Sequence, residues 1–206
     1  MDFVGTGTRL ADVDLPRMGA LIGVGEDEIH ALLDVESAGK GFDDKRRLKM
    51  LFEPHVFYRE LTNPDERQQA ERLGLAYAKW GLKPYPSDSY PTLIAAMRIN
   101  ATAALRSASW GLGQIMGFNH VKAGFEEVES MIHSFKTGEA AQLQAMVLFI
   151  KNSGLADHLR RHRWASFARG YNGKGYSKHG YHTKLEAAYK KWSRIKDTPW
   201  SSNSSV

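Results

Sequence analysis

Between Thr137 and Ile150 the chain carries a helix that cannot lie on a surface. Thr137 reads as its N-cap and Glu139 as an acid in its first turn. Leu143, Met146, Val147 and Ile150 follow at i, i+3, i+4 and i+7, and Ala145, Leu148 and Phe149 fill most of the remaining circumference. A helix that is apolar nearly all round needs other elements on every side. The chain must therefore wrap a buried central helix, whose Met and Phe are core rather than a cofactor box. With 206 residues, 42% hydrophobic and 25% charged, there is chain enough for one domain with a proper core.

The next constraint is a carboxylate where an aliphatic belongs. Ile29, Leu32 and Leu33 form an apolar stripe at i, i+3 and i+4, and its i+7 position is Glu36. Gly39 and Gly41 follow as the helix stop. A glutamate at the inner end of a helix loses hydration, which raises its pKa. A carboxyl still protonated near neutrality can donate a proton in catalysis. An arginine or backbone donors could equally satisfy it with no catalytic role.

Elsewhere, helices are predicted over Leu10 to Ile22, Glu26 to Ser37, Asp65 to Trp80, Tyr90 to Ser107 and Thr183 to Ile195. Leu48, Met50 and Phe52 alternate with Lys49, Leu51 and Glu53, which together with Lys40 to Arg47 predicts a β-hairpin, the one β element expected. A hairpin directly after the helix can bring Glu53 across a cleft from Glu36. Glu53 could instead fix the hairpin through His55, and Asp43 and Asp44 are further candidates for a second carboxylate. From Ser107 to Gly117 three glycines surround Trp110 and Gln114. That pattern suits either close approach of a ligand or a tight turn between helices. Tyr171 and Asn172 place a ring face beside an amide, a pairing suited to a sugar bearing an N-acetyl group. Pro84-Tyr85-Pro86 breaks the chain without suggesting any chemistry.

Other patterns exclude functions. There is no cysteine, so disulfides, thiol catalysis and cysteine metal sites are ruled out. His158 and His162 have a metal-compatible spacing but no third ligand, and the glycines lack phosphate-loop order. No metal and no cofactor is expected. No run approaches the ~18 apolar residues of a membrane span, and Met1 to Gly25 does not read as a signal peptide. Residues 151–206 carry 12 Lys/Arg against 3 Asp/Glu, a net +9, and the remainder of the chain carries −4. A basic end of this kind suits contact with a polyanion, or simply solubility.

Three pieces stand in order: Glu36-Ser37, then Gly111-Leu112-Gly113-Gln114-Ile115-Met116, then Tyr171-Asn172-Gly173. In that order they resemble the lysozyme superfamily, in particular goose-type lysozymes and soluble lytic transglycosylases. Val35-Glu36-Ser37, Leu51-Phe52-Glu53-Pro54-His55, Leu105 to Gly111 and Ala168 to Gly173 are similar to the N-acetylmuramidase family of phage endolysins over most of the chain. Gly113 and Lys174 depart from the transglycosylase pattern.

The resemblance implies an α+β, mostly α, lysozyme-like fold with one small hairpin after the catalytic helix. It implies a catalytic domain, expected as a single one over residues 1–196. Many members add a peptidoglycan-binding module, but the chain shows no room or repeat for a separate peptidoglycan-binding domain, and residues 197–206 read as a flexible tail. Glu36 would be the general acid that cleaves peptidoglycan between N-acetylmuramic acid and N-acetylglucosamine, with Glu53 as candidate second carboxylate. Ser37, Trp110, Gln114, Ile115, Tyr171 and Asn172 would form or shape the sugar site. The protein is expected as a monomer that stays in the host cytoplasm until a separate pore-forming or export protein releases it to the wall. Its basic C-terminal helix would meet an anionic envelope, and no nucleic-acid partner is expected. Two rivals stay open: a lytic transglycosylase, and a non-catalytic basic module that binds polyanions.

Overall fold

A computed structural model describes residues 2–37, 39–173 and 175–201. The chain is mostly helical. Helices α1 (Asp14–Ala20) and α2 (Glu26–Glu36) come first, then strand β1 (Met50–Phe52) and helices α3 (Pro54–Glu60) and α4 (Pro64–Arg72). Helices α5 (Tyr90–Met97) and α6 (Ala101–Arg106) lead to strands β2 (Ala108–Trp110) and β3 (Ile115–Met116). After α7 (Val128–Phe135) and α8 (Glu139–Asn152), helices α9 (Ala156–Arg160), α10 (Trp164–Asn172) and α11 (Tyr181–Trp192) complete the order. The strands form one antiparallel sheet, β1-β2-β3.

Helix α8 is the expected central helix, and it separates two apolar cores. Leu143, Met146, Val147 and Ile150 join one core with side chains of α1, α2, α9, α10 and α11. Ala145 joins the other, built on the sheet and on α3 to α7. The N-cap expected at Thr137 is not made: its hydroxyl donates to Ser134 O at 2.8 Å, and Gly138 takes the cap position.

The inner face of α8 also holds two buried polar side chains. Glu139 accepts from the backbone N–H of Gly41 at 2.8 Å and of Leu10 at 3.2 Å. Gln142 accepts from Leu112 N–H at 2.7 Å and donates to Phe135 O at 3.0 Å. Gly41 and Gly111 are glycines because of this amide. A Cβ on Gly41 would lie 2.1 Å from Gln142 Oε1, and one on Gly111, where φ is +68°, would lie 2.7 Å from it. We expect Gln142→Leu to cost on the order of 3 kcal/mol, because it strands the Leu112 N–H and leaves Phe135 O with only a long bond from Gly138 N–H at 3.4 Å. Urea denaturation measures this directly, and an unchanged midpoint would mean the amide is dispensable.

Several expected boundaries move. The helix predicted over Asp65 to Trp80 stops at Arg72, before Gly74 at φ +68°. The one predicted over Tyr90 to Ser107 breaks at Asn100, whose side chain accepts from Ala103 N–H at 3.0 Å and starts α6. The hairpin shrinks to a single bridge, Phe42 to Leu48, with the Asp43 carboxylate accepting from the N–H groups of Lys45 and Arg47 inside the turn. β1 pairs instead with β2, in the stretch read as ligand loop or turn. The hairpin was therefore not the only β structure to expect. Strands of three and two residues are too short to show an alternation.

At the C-terminal side α11 lies along α2. Its Leu185 is buried, and Trp192 stacks on His30 with ring centres 3.7 Å apart. Thr198 N–H donates to Glu26 Oε1 at 2.8 Å, so the stretch expected to be loose from residue 197 starts out attached to α2; residues 202–206 lie outside the described residues. Among the described residues, no helix is long and apolar enough to cross a membrane.

Candidate active site

Glu36 is the last residue of α2, and its stripe neighbours Ile29 and Leu32 are fully buried. Ser37 ends the helix: its hydroxyl donates to Leu33 O at 2.6 Å and accepts from Gly39 N–H at 3.2 Å. The hydroxyl thus serves the helix end, while the residue itself lines the cavity. Glu36 emerges into a cavity of about 350 Å³ lined by Val35, Glu36, Ser37, Gly113, Gln114, Tyr171, Asn172 and Tyr181.

Burial raises the Glu36 carboxyl from its ordinary 4.5 to about 7, opposed by a hydrogen bond from Asn172 and by the charge of Lys184. Asn172 Nδ2 donates to Glu36 Oε1 at 2.8 Å, from the last position of α10. Glu36 has no arginine partner among the described residues. Tyr171 packs its ring on Phe167 and Phe149, with centres 5.6 Å away in both cases. Its buried hydroxyl has no partner among the described residues. Burial and then the Glu36 charge raise the phenol's pKa, so it remains a donor.

Gln114 sits in the left-handed region at φ 47°, uncommon for a residue with a side chain. Its amide accepts from Ser109 Oγ at 2.9 Å and donates to Gly111 O at 2.8 Å. Strained backbone held this firmly is characteristic of binding sites.

Trp110 is fully buried, stacks on Phe3 at 5.5 Å and donates from its indole to Leu105 O at 2.9 Å. Ile115, its cross-strand partner, is buried beside it. Neither reaches the cavity. Successive residues of a strand face opposite sides, and β2 turns Ser109 toward Gln114 and Trp110 toward the core.

The same register locates Glu53. Leu51 pairs with Ser109, and Glu53 N–H continues the ladder to Ser107 O at 3.0 Å. Glu53 therefore shares the sheet face of Ser109, which holds Gln114. Its carboxylate accepts from Tyr85 Oη and lies 3.3 Å from His55 Nδ1. Tyr85 comes from the proline-flanked break to which no chemistry was assigned. Of the other carboxylates considered, Asp43 closes its turn and Asp44 is fully exposed beside Lys40. Lys174 lies outside the described residues. Of the paired histidines, His162 binds Glu28 at 2.6 Å. Gln142, Glu139 and Tyr85 are the residues sequence reasoning missed; the first two broke the apolar pattern of α8 just as Glu36 breaks that of α2.

This arrangement can protonate a bridging oxygen from Glu36 beside a ring face and an amide, while Glu53, with Tyr85 and His55, is not among the residues that line the Glu36 cavity. The sequence model of the N-acetylmuramidase family matches residues 26–193. Among solved structures, an endolysin of Burkholderia phage AP3 matches with a TM-score of 0.83 and 35% identity, over 91% of this chain and 73% of that one. No curated protein sequence matches.

Proposed function

The chain belongs to the N-acetylmuramidase family, and on that premise we propose that it hydrolyses the bond between N-acetylmuramic acid and N-acetylglucosamine in bacterial peptidoglycan, with Glu36 as general acid. Family membership makes it a glycoside hydrolase of lysozyme-like fold and sets aside the non-catalytic reading of its basic end. The observation that carries the proposal is a carboxyl with its pKa raised to about 7 by burial, lining a cavity beside an orphaned phenol. The Glu36 proton goes to the glycosidic oxygen as the bond to the sugar carbon breaks. Asn172 holds the carboxyl in place. The positive charge developing on the ring is met from the sheet face by Glu53, which in hydrolysis also orients or deprotonates the attacking water.

Purified sacculi test this. Clearing with muropeptides that end in a reducing muramic acid is the expected outcome. Anhydro ends would instead mean that the sugar's own hydroxyl attacks, and no clearing would reject the proposal. Tyr85→Phe removes a donor from Glu53, so it should lower kcat roughly tenfold with KM little changed. An unaltered kcat would point to a Glu53 that only fixes the fold.

We also propose that α11 and the residues just after it contact an anionic envelope through Lys184 and Lys190 of the helix and Arg194 beyond its end. Deleting α11 is a poor test, because it removes the buried Leu185 and uncovers the core against which it packs. Changing Lys190 and Arg194 to Gln leaves the packing intact and should weaken adhesion to anionic vesicles at low salt.

A further inference from the structure

A second cavity, of about 410 Å³, adjoins the first and shares Ser37 with it. Arg9, Asp34, Leu33, Leu112 and Glu139 help to line it. The described chain gives this cavity one anchored cation and one anchored anion, each with a free edge. Arg9 Nη1 bonds Glu139 Oε1 at 3.1 Å, and that glutamate is only 4% exposed and is itself fixed by the N–H groups of Gly41 and Leu10. The rest of the guanidinium has no partner among the described residues, and the side chain is 58% exposed. Asp34 is held through Oδ2 by Trp192 Nε1 at 2.9 Å and Lys191 Nζ at 3.2 Å, which leaves Oδ1 free among the described residues. With Glu139 and Lys191 counted, the two acids and two bases cancel. A site that is neutral overall but charge-separated favours a ligand of the same kind over a simple cation or anion.

We propose that this cavity binds the zwitterionic end of a peptidoglycan stem peptide, a side chain carrying ammonium and carboxylate on one carbon, as diaminopimelate does. The inference rests on the muramidase reading, because the stem hangs from the muramic acid that the adjoining cavity would hold. The carboxylate pairs with the free edge of Arg9, whose planar fork suits two parallel hydrogen bonds. The ammonium pairs with Asp34. Lysine-type stems offer the ammonium alone and engage only half of the site.

The test compares kcat/KM of the whole protein on three soluble glycans of equal length: one with diaminopimelate stems, one with lysine stems and one stripped of stems by an amidase. The expected order is diaminopimelate, lysine, stripped, with about a tenfold span. Arg9→Met and Asp34→Asn should each pull the diaminopimelate-to-stripped ratio toward one. Arg9→Lys keeps a cation on Glu139 but cannot offer the fork, so it should give an intermediate ratio. If Arg9→Met does not fold, the lysine and Asp34→Asn variants decide. A wild-type ratio of one, or variants that keep the wild-type ratio, overturns the inference. Failure of the muramidase reading itself looks different: none of the three glycans is cut.

Discussion

Glu36→Gln should lower turnover about 10³-fold while the protein stays folded, since a positioned general acid is worth about 10²–10⁴. The amide has the shape of the carboxyl, and its oxygen can still accept from Asn172 Nδ2. It has no proton to give. The same substitution should change how stability depends on pH. The folded pKa of Glu36, about 7, lies above the ordinary 4.5. Between those values the folded state holds a proton that the unfolded state has released. The contribution is fully present below 4.5 and is lost as pH rises through about 7. Wild type should therefore lose up to ~3 kcal/mol relative to Glu36→Gln across that window. Urea melts of the two proteins at pH 4.5 and pH 8 measure it, and parallel curves would mean that Glu36 is no drier than a surface glutamate.

Trp110→Ala should be the most destabilising single change at the sheet, about 4 kcal/mol. It empties a fully buried site, removes the stack on Phe3 and frees Leu105 O. Thermal or urea unfolding reads the loss. Kinetics separate this from a sugar-stacking role: the folded fraction should keep its KM for glycan. A raised KM at unchanged stability would put the indole in the cleft after all.

That residue also marks how far the sequence could be read. Glu36 was legible because helical spacing ties it to Ile29 and Leu32, both fully buried. The same rule applied to α8 would have exposed Glu139 and Gln142, hidden by the apolar residues around them. Trp110 was given its site role by the family resemblance, while its glycine neighbours have separate uses: Gly111 makes room for Gln142, Gly117 for the backbone at Leu105, and Gly113 packs near Met146 and lines the cavity. Which way β2 faces depends on its pairing with β1, and residues 50–52 and 108–110 share no local signal. Contacts such as Tyr85 to Glu53 and Asn172 to Glu36, 32 and 136 residues apart, come from the fold alone. The motif order brought Asn172 near Glu36 only through the family resemblance, and nothing pointed to Tyr85.

The account depends on a proton held by Glu36 near neutral pH. Carbon-detected NMR of the side-chain carboxyls, assigned by comparison with Glu36→Gln, follows that proton directly. A Glu36 midpoint at about 7, coinciding with the alkaline fall of kcat/KM on sacculi, is the expected result. A midpoint at the ordinary 4.5, with activity persisting well above it, would contradict the account.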